Sequence, residues 1–419
     1  MTPLAPDLVR PHLRPHLARP HELEPAEAAW ITPLLPGPDP AVSAAAGDTR
    51  PVIPVCDTRL DGNERRYVLD CIDSGWISSA GPYIERFEHA FAKAIGTEHA
   101  IACANGTVAL HLLLAAAGLG PGDEVSVPSF TMAATAAAVA YTGATPVFVD
   151  VLPGSGNIDP AAVAAAVTPA TRAVVAVHIY GRPVDVDALR AVLFGHDIDL
   201  IEDAAEAHGA TWEGRPVGSL GRGASFSFYA NKIVTTGEGG MVTTNDAPLA
   251  SVARTLRDHA FSAERHFWHR HLGFNYRMTA MQAAVGLAQV ERLDELVAAK
   301  RRMAARYSEG LAGLPLRLPA EGPGERNVHW MYAVRVADDS PLSRDELRSV
   351  LAHSGIETRT FFVPLHLQPI WRSRGVRVRL PVSEALSLSG LYLPSGPGLT
   401  EADINRVVMT VRAALAVRS

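Results

Sequence analysis

Between His99 and Thr244, seven short apolar runs are separated by helix-forming stretches such as Val108–Ala117 and Ala161–Val167. The runs are His99–Cys103, Glu124–Val127, Pro146–Asp150, Ala173–Ile179, Leu200–Glu202, Ala224–Phe228 and Gly240–Thr244. Several are apolar at successive positions, so both faces of each strand must be covered, as happens when helices flank a parallel sheet. The alternation predicts an α/β domain with a mostly parallel seven-stranded sheet. The chain has 419 residues, more than one small core organises. From Thr279 to about Tyr307 the pattern predicts one long helix linking two domains. Beyond it, the segments HWMYAVRV, RDELRSVLAHSG and EADINRVVMTVRAAL predict a smaller C-terminal α+β domain. The expected division is a Pro-rich N-terminal extension over 1–50, a large domain over 51–300 and a small domain over 301–419.

Several function classes are argued against. The net charge is −6 with acids and bases interspersed, which speaks against a nucleic-acid partner. The alanine-rich run Met132–Tyr141 is too short to span a bilayer, so no membrane association is expected. Cys56, Cys71 and Cys103 show no CxxC spacing, so neither a disulfide framework nor a metal site is expected, and a reducing cytoplasm is. The first thirty residues hold no continuous apolar stretch, so a secretory signal is not expected. None of this excludes an anionic small molecule. The extension carries Trp30, Ile31, Leu34 and Leu35, which a disordered tail normally avoids. Residues 30–35 are therefore expected against the folded body, with 1–20 more mobile.

The densest chemistry lies between Ile201 and Gly240. Asp203 follows Leu200 and Ile201 and belongs at the carboxyl end of a strand, where open α/β sheets bind ligands. In SFSFYANKIVTTGEGG, Lys232 comes just after a buried strand, an unusual place for a lysine. Alone it would read as a surface residue. A pyridoxal-phosphate enzyme, however, needs a lysine, a carboxylate for the pyridine nitrogen and donors for a phosphate dianion. Asp203 offers the carboxylate. In ANGTVALHLLL, Gly106 permits close backbone approach, and Thr107 offers a hydroxyl and an amide where a helix begins.

Eight blocks extend the match: SGWISSAGPYIERFE, ANGTVALHLLL, GDEVSVPSFT, TGATPVFVDV, IEDAAEAHGA, SFSFYANKIVTTGEGGMVTTND, GFNYRMTAMQAAVG and IETRTFFVPLH. On these, the chain from about Ile53 to its end resembles the DegT/DnrJ/EryC1/StrS sugar aminotransferase family of fold-type-I pyridoxal-phosphate enzymes. The resemblance implies pyridoxal 5'-phosphate as cofactor, held as a Schiff base on Lys232, which also serves as acid and base. Asp203 would pair with the pyridine nitrogen. Gly106, Thr107 and Ser227 would contact the phosphate, and Asn275 would reach it from a neighbouring subunit, so the resemblance implies a homodimer with shared sites. Met132 stands where members often put an aromatic ring on the cofactor face, and Glu206 where many have Gln. Thr360 breaks an Arg-Pro-Phe-Phe run of close relatives. His329 and His366 correspond to positions near the substrate. His208 reads equally as a cofactor contact and as a structural histidine, and Trp76 and Trp330 read as packing residues. Glu238 is expected to hold the 237–240 turn together.

The implied activity moves an amino group from an amino acid, L-glutamate, to a nucleotide-linked 4-keto-6-deoxy sugar. The wording around residues 105–107, 229–232, 330–332 and 361–362 is similar to that of the family's perosamine synthases, which act on a GDP-linked 4-keto sugar. Two alternatives stand beside this reading: an acceptor that is a non-sugar aldehyde or ketone of a natural-product pathway, and a non-catalytic sensor or scaffold of the same fold. Lys232, Asp203, Ser227 and Asn275 are all present, which argues against a decayed site. Lysine rather than histidine at 232 argues against a dehydratase.

Overall fold

The computed structural model describes residues 25–42, 51–262, 265 and 267–416, so the expectation for residues 1–20 falls outside it. The seven predicted runs form one sheet. Its strands are β1 (His99–Cys103), β2 (Glu124–Pro128), β3 (Thr145–Val149), β4 (Thr171–Val177), β5 (Asp199–Asp203), β6 (Gly223–Ser227) and β7 (Gly240–Thr244). Their order is β1-β7-β6-β5-β4-β2-β3. Only β7 runs antiparallel to its neighbours. Ile201, Ala224, Phe226 and Val242 are wholly buried, because helices cover both faces as the unbroken apolar runs require.

Strand register determines where the chemistry sits. Gly240 pairs with Cys103 on one side and with Ser227 on the other. The carboxyl ends of β1 and β6 therefore flank the start of β7. Asp203, the last residue of β5, pairs with Ser225 of β6. A side chain at Gly240 would collide with the carbonyl oxygen of Asn105, so only glycine lets the three strands converge there.

The predicted single helix over 279–307 is instead two, Ala280–Val290 and Leu293–Leu311. The break falls at Glu291 and Arg292. Glu291 accepts hydrogen bonds from Asn63 Nδ2 and Tyr67 Oη, both at 2.7 Å, while Arg292 turns to Asp61 at 2.5 Å. These tertiary contacts win over the helical pattern. The first helix is apolar nearly all round because it lies against the helices Glu64–Ser74 and Pro82–Ile95. The second carries the chain from one hydrophobic core to the other: Leu293, Leu296 and Val297 lie in the first, and Met303, Tyr307 and Leu311 in the second.

The second core lies under a four-stranded antiparallel sheet of Leu316–Arg317, Tyr332–Val336, Gly390–Leu393 and Arg359–Thr360. The helices Arg344–His353 and Glu401–Leu415 supply its other side. Ile53 also belongs to this core through a bridge to Ile356. Conversely, Trp330, Met331 and Phe361 join the first core, so late parts of the chain wall the large sheet. Of residues 30–35, expected against this body, Ile31 is buried and Trp30 and Leu34 are partly so, while Leu35 is exposed.

Alternation along β5 points Glu202 away from the face that Asp203 serves. Glu202 is wholly buried and fully used: Oε1 accepts from the amides of Leu220 and Gly221, both at 2.7 Å, and Oε2 from the Gly218 amide at 2.8 Å and His178 Nε2 at 3.1 Å. Glu202→Ala should therefore cost about 3–5 kcal/mol, the range for breaking a buried charged network. Urea unfolding measures this directly, and a loss below about 1 kcal/mol would show that the 218–221 turn holds itself.

Candidate active site

The helix Gly106–Ala116 begins directly after β1, and Asn105 caps it by accepting the Val108 amide at 3.0 Å. The next amides, those of Gly106 and Thr107, belong to a first turn that has no intrahelical acceptors. Ser227 at the end of β6 lies so close that a Cβ on Gly106 would come within 2.6 Å of the Ser227 Cβ. Gly106, Thr107 and Ser227 thus form one cradle of amides and hydroxyls at a helix N-terminus, a donor set suited to a phosphate.

Beyond Ser227 the chain makes a compact loop. The Lys232 amide donates to Tyr229 O at 2.8 Å, and the loop closes where the amides of Phe228 and Thr236 bond to Gly239 O and Phe228 O. Glu238 was expected to hold this turn, and it does so through its backbone. Its carbonyl accepts Thr236 Oγ1 at 2.6 Å and Gln282 Nε2 at 2.8 Å.

Held this way, the Lys232 side chain is only 10% exposed. Its Nζ lies 3.7 Å from Glu206 Oε1 and 3.7 Å above the centroid of the Trp330 ring. Burial lowers the pKa of the ammonium, and Glu206 and Asp203 oppose that shift. Burial likewise pushes Glu206 up to about 7, with Lys232 pulling the other way. Glu206 Oε2 accepts the Tyr180 amide at 2.7 Å, and Tyr180 adopts the left-handed backbone conformation at φ 55° to make that contact.

Asp203 is buried, and burial raises its pKa against the hydrogen bonds it accepts. Thr135 Oγ1 donates to its Oδ2 at 2.8 Å and the Ala205 amide to its Oδ1 at 3.3 Å. Met132 caps the helix Ala133–Thr142 that carries Thr135, and its side chain is 55% exposed. Asn275 is exposed on a segment that bridges Asp258, with Arg277 Nε donating to its Oδ1 at 3.0 Å.

The structure brings Lys232, Asp203, Glu206, Gly106, Thr107 and Ser227 to one end of the sheet. It does not do the same for every histidine. His366 is wholly buried, with Nδ1 on Ser129 Oγ at 2.7 Å and Nε2 on Glu384 at 3.3 Å, so its ring has no free nitrogen to offer. His329 is buried at φ 49° beside Trp330, its Nδ1 has no partner, and burial pushes it down to about 4. His208 is boxed in by Phe91, Phe226 and Phe228, and burial pushes it down to about 3, which makes it a neutral packing group.

Trp330 packs in the core as the sequence leads one to expect, and it also touches Lys232. It is buried, but its ring face meets Lys232 Nζ, and its Nε1 donates to Asn231 O at 2.8 Å. Lys300 holds the same residue from behind, donating to Trp330 O at 2.7 Å, and burial brings that lysine down to about 8. Trp76, also assigned to packing, is half exposed. Thr135, Tyr180 and Lys300 carried no signal in the sequence, since each matters through a partner distant along the chain.

Comparison with known proteins gives the same picture. The profile of the DegT/DnrJ/EryC1/StrS aminotransferase family matches residues 58–412. The chain is 50% identical over 360 residues to a GDP-perosamine synthase of Caulobacter vibrioides, covering 85% of this chain and 97% of that protein. It is 40% identical over 370 residues to a dTDP-3-amino-3,4,6-trideoxy-alpha-D-glucose transaminase of Streptomyces venezuelae, covering 86% and 96%. The fold superposes on the crystal structure of S. venezuelae DesV in complex with a ketimine intermediate with a TM-score of 0.82, at 39% identity over 88% of this chain and 99% of that one.

The Glu206 shift has a pH signature in the cofactor-free protein. With its folded pKa near 7 and above the unfolded value of 4.5, folded Glu206 holds more protons than unfolded Glu206 between those limits. Its contribution to stability is therefore present in full below the unfolded pKa and is lost as pH rises through the folded one. Glu206→Gln removes that loss, and the deeper depression of Lys232 in the variant acts in the same direction. The slope of unfolding free energy against pH should become more positive between about pH 5 and 8. Denaturant titrations across that range measure it, and an unchanged slope would mean that Glu206 ionises at an ordinary pH.

Proposed function

Because the chain belongs to the DegT/DnrJ/EryC1/StrS aminotransferase family, we propose that it transfers the amino group of L-glutamate to the keto carbon of a nucleotide-linked 4-keto-6-deoxy sugar. The enzyme is an aminotransferase, and its cofactor is pyridoxal 5'-phosphate. The single observation that carries the proposal is the Lys232 ammonium, buried between the Trp330 face and Glu206, with Asp203 and the 106–107–227 cradle at the same end of the sheet. The fifty-percent identity to a GDP-perosamine synthase favours a GDP-linked acceptor.

When bound, pyridoxal phosphate supplies an aldehyde that captures amines and a pyridine ring that withdraws electrons from the bonds around the captured carbon. Lys232 Nζ would hold the group through its aldehyde, and burial favours the neutral form in which the released side chain could act as a base. It would carry a proton from the donor Cα to the group in the first half-reaction, so ending neutral, and in the second would carry a proton from the group to the carbon that receives the amine. Proton transfer by such a positioned group contributes ~10²–10⁴-fold. Asp203, oriented by Thr135, would pair with the ring nitrogen and favour its protonated form. Gly106, Thr107 and Ser227 would hold the phosphate, and Met132 would offer the ring polarizable rather than aromatic contact. Glu206 Oε1 takes up the Lys232 ammonium whenever that side chain is released.

The working unit is a homodimer in this reading. Phe267, Trp268 and Leu272 are exposed apolar side chains close in sequence to Asn275. A twofold partner would cover them and bring its Asn275 toward the phosphate cradle. The three cysteines are free, which fits a reducing cytoplasm, and among the described residues no helix is long and apolar enough to cross a membrane.

Lys232→Ala should purify folded and without turnover, because truncating a side chain that faces the site removes both the attachment point and the base. The assay pairs L-glutamate with a panel of GDP- and dTDP-linked 4-keto-6-deoxy sugars and simple aldehydes. Turnover by the wild type on the aldehydes alone would move the acceptor outside the nucleotide sugars, and multiple turnovers by the variant would remove Lys232 from the mechanism.

A further inference from the structure

The family profile begins at residue 58, yet residues 25–42 are built into the body of this protein. Glu27 accepts from Arg372 Nη2 and, at 3.0 Å, from Arg377 Nε. The Trp30 ring lies 4.2 Å from the guanidinium carbon of Arg379 and 5.7 Å from that of Arg372. Further along, the Gly37 amide donates to Asp345 Oδ2 at 3.2 Å and Asp39 pairs with Arg348. Arg348 and Arg372 are both buried. A guanidinium stays charged in any surroundings, so burying one requires a counter-charge: the extension supplies it to Arg372 and shares the task with Asp345 at Arg348.

The contacts continue inward from Arg379. Its guanidinium grips both oxygens of Glu384, Nε to Oε1 at 3.1 Å and Nη2 to Oε2 at 3.0 Å. Glu384 Oε1 meets His366 Nε2 at 3.3 Å, and His366 Nδ1 meets Ser129 Oγ at 2.7 Å. The same Ser129 oxygen accepts the His366 amide at 3.1 Å, and Ser129 O accepts the Leu365 amide at 2.8 Å. One arrangement satisfies all of them: the serine hydroxyl donates to Nδ1, and a neutral histidine donates its Nε2–H to Glu384. Ser129 opens the segment that runs past Met132 to Thr135. There, Thr131 and Thr135 share a hydrogen bond at 3.1 Å, and Thr135 holds Asp203.

We propose that residues 25–42 are a strap that fixes the 129–135 wall of the cofactor site through Arg379, Glu384, His366 and Ser129, with Glu27 and Trp30 as positioning residues. The proposal rests on the reading of the Lys232 and Asp203 site as the pyridoxal-phosphate site. It gives the buried His366 a task, since that ring links the small domain to the end of β2.

The test compares wild type, Trp30→Ala, Trp30→Phe and Ser129→Ala in two measurements: the Kd for pyridoxal phosphate and backbone hydrogen exchange in the cofactor-free protein. Trp30→Ala should weaken the cofactor roughly 3- to 10-fold, the scale of coupling through a packed network. It should also speed exchange at 129–135 and 365–367 while the 401–415 helix stays unchanged. Trp30→Phe keeps a ring face under Arg379 and should restore both readouts. Ser129→Ala breaks the path beyond the strap, so it should weaken the cofactor while amides 27–35 keep their protection. If Trp30→Ala does not fold, Arg379→Gln, at a mostly exposed side chain, carries the same expectation. Unchanged Kd with exchange raised equally everywhere, the 401–415 helix included, would reduce the strap to a stability element and overturn the proposal. If Lys232→Ala bound pyridoxal phosphate as tightly as wild type, the site reading would fail instead, and the exchange pattern would still decide the strap.

Discussion

One ammonium group in a largely buried position organises this protein. Lys232 sits between an indole face and a single carboxylate, with only 10% of its side chain exposed. Each neighbour is in turn held from elsewhere. Trp330 is fixed by Lys300 behind it and by Asn231 beside it, and Glu206 is fixed by the strained backbone of Tyr180. Burial lowers the pKa of this lysine, which makes its neutral form easier to reach. Rigid neighbours fix its nitrogen in place.

The sheet makes the arrangement feasible because β7 enters antiparallel between β1 and β6. That insertion puts the start of the 106–116 helix next to Ser227, and the loop leaving Ser227 carries Lys232 back across the same end. The cradle of Gly106, Thr107 and Ser227 and the lysine thus share one origin. Late parts of the chain contribute as well, since Trp330 and Phe361 belong to the first core. The contacts of residues 25–42 extend the same logic outward, with acids of the extension pairing with the buried Arg348 and Arg372.

Much of this was legible in the residues themselves. The seven strands fell where continuous apolar runs fell, and ends differed by one or two residues because hydrogen bonding, not hydrophobicity, sets them. Lys232, Asp203 and the Asn105-Gly106-Thr107 turn stood out because each is a polar group at the end of an apolar strand. The single helix assigned to 279–307 failed for the converse reason. Its pattern was continuous, but the contacts of Glu291 and Arg292 with residues 61–67 break it, and local periodicity carries no record of them. The surroundings of His366 were illegible for the same reason, because a histidine near a substrate motif looks the same whether its nitrogens are free or, as here, both engaged by Ser129 and Glu384.

The sequence by itself determined the fold class and the family likeness, and it singled out Lys232, since these rest on periodicity and on residue types at fixed short spacings. Tertiary structure decided which groups act on that lysine. Trp330 lies 98 positions beyond Lys232, and Thr135 lies 68 before Asp203. It also decided that the extension docks, which depends on arginines more than three hundred residues away. The physical reason is that cation–π contact, desolvation and hydrogen bonding act over a few ångströms of space and are indifferent to distance along the chain.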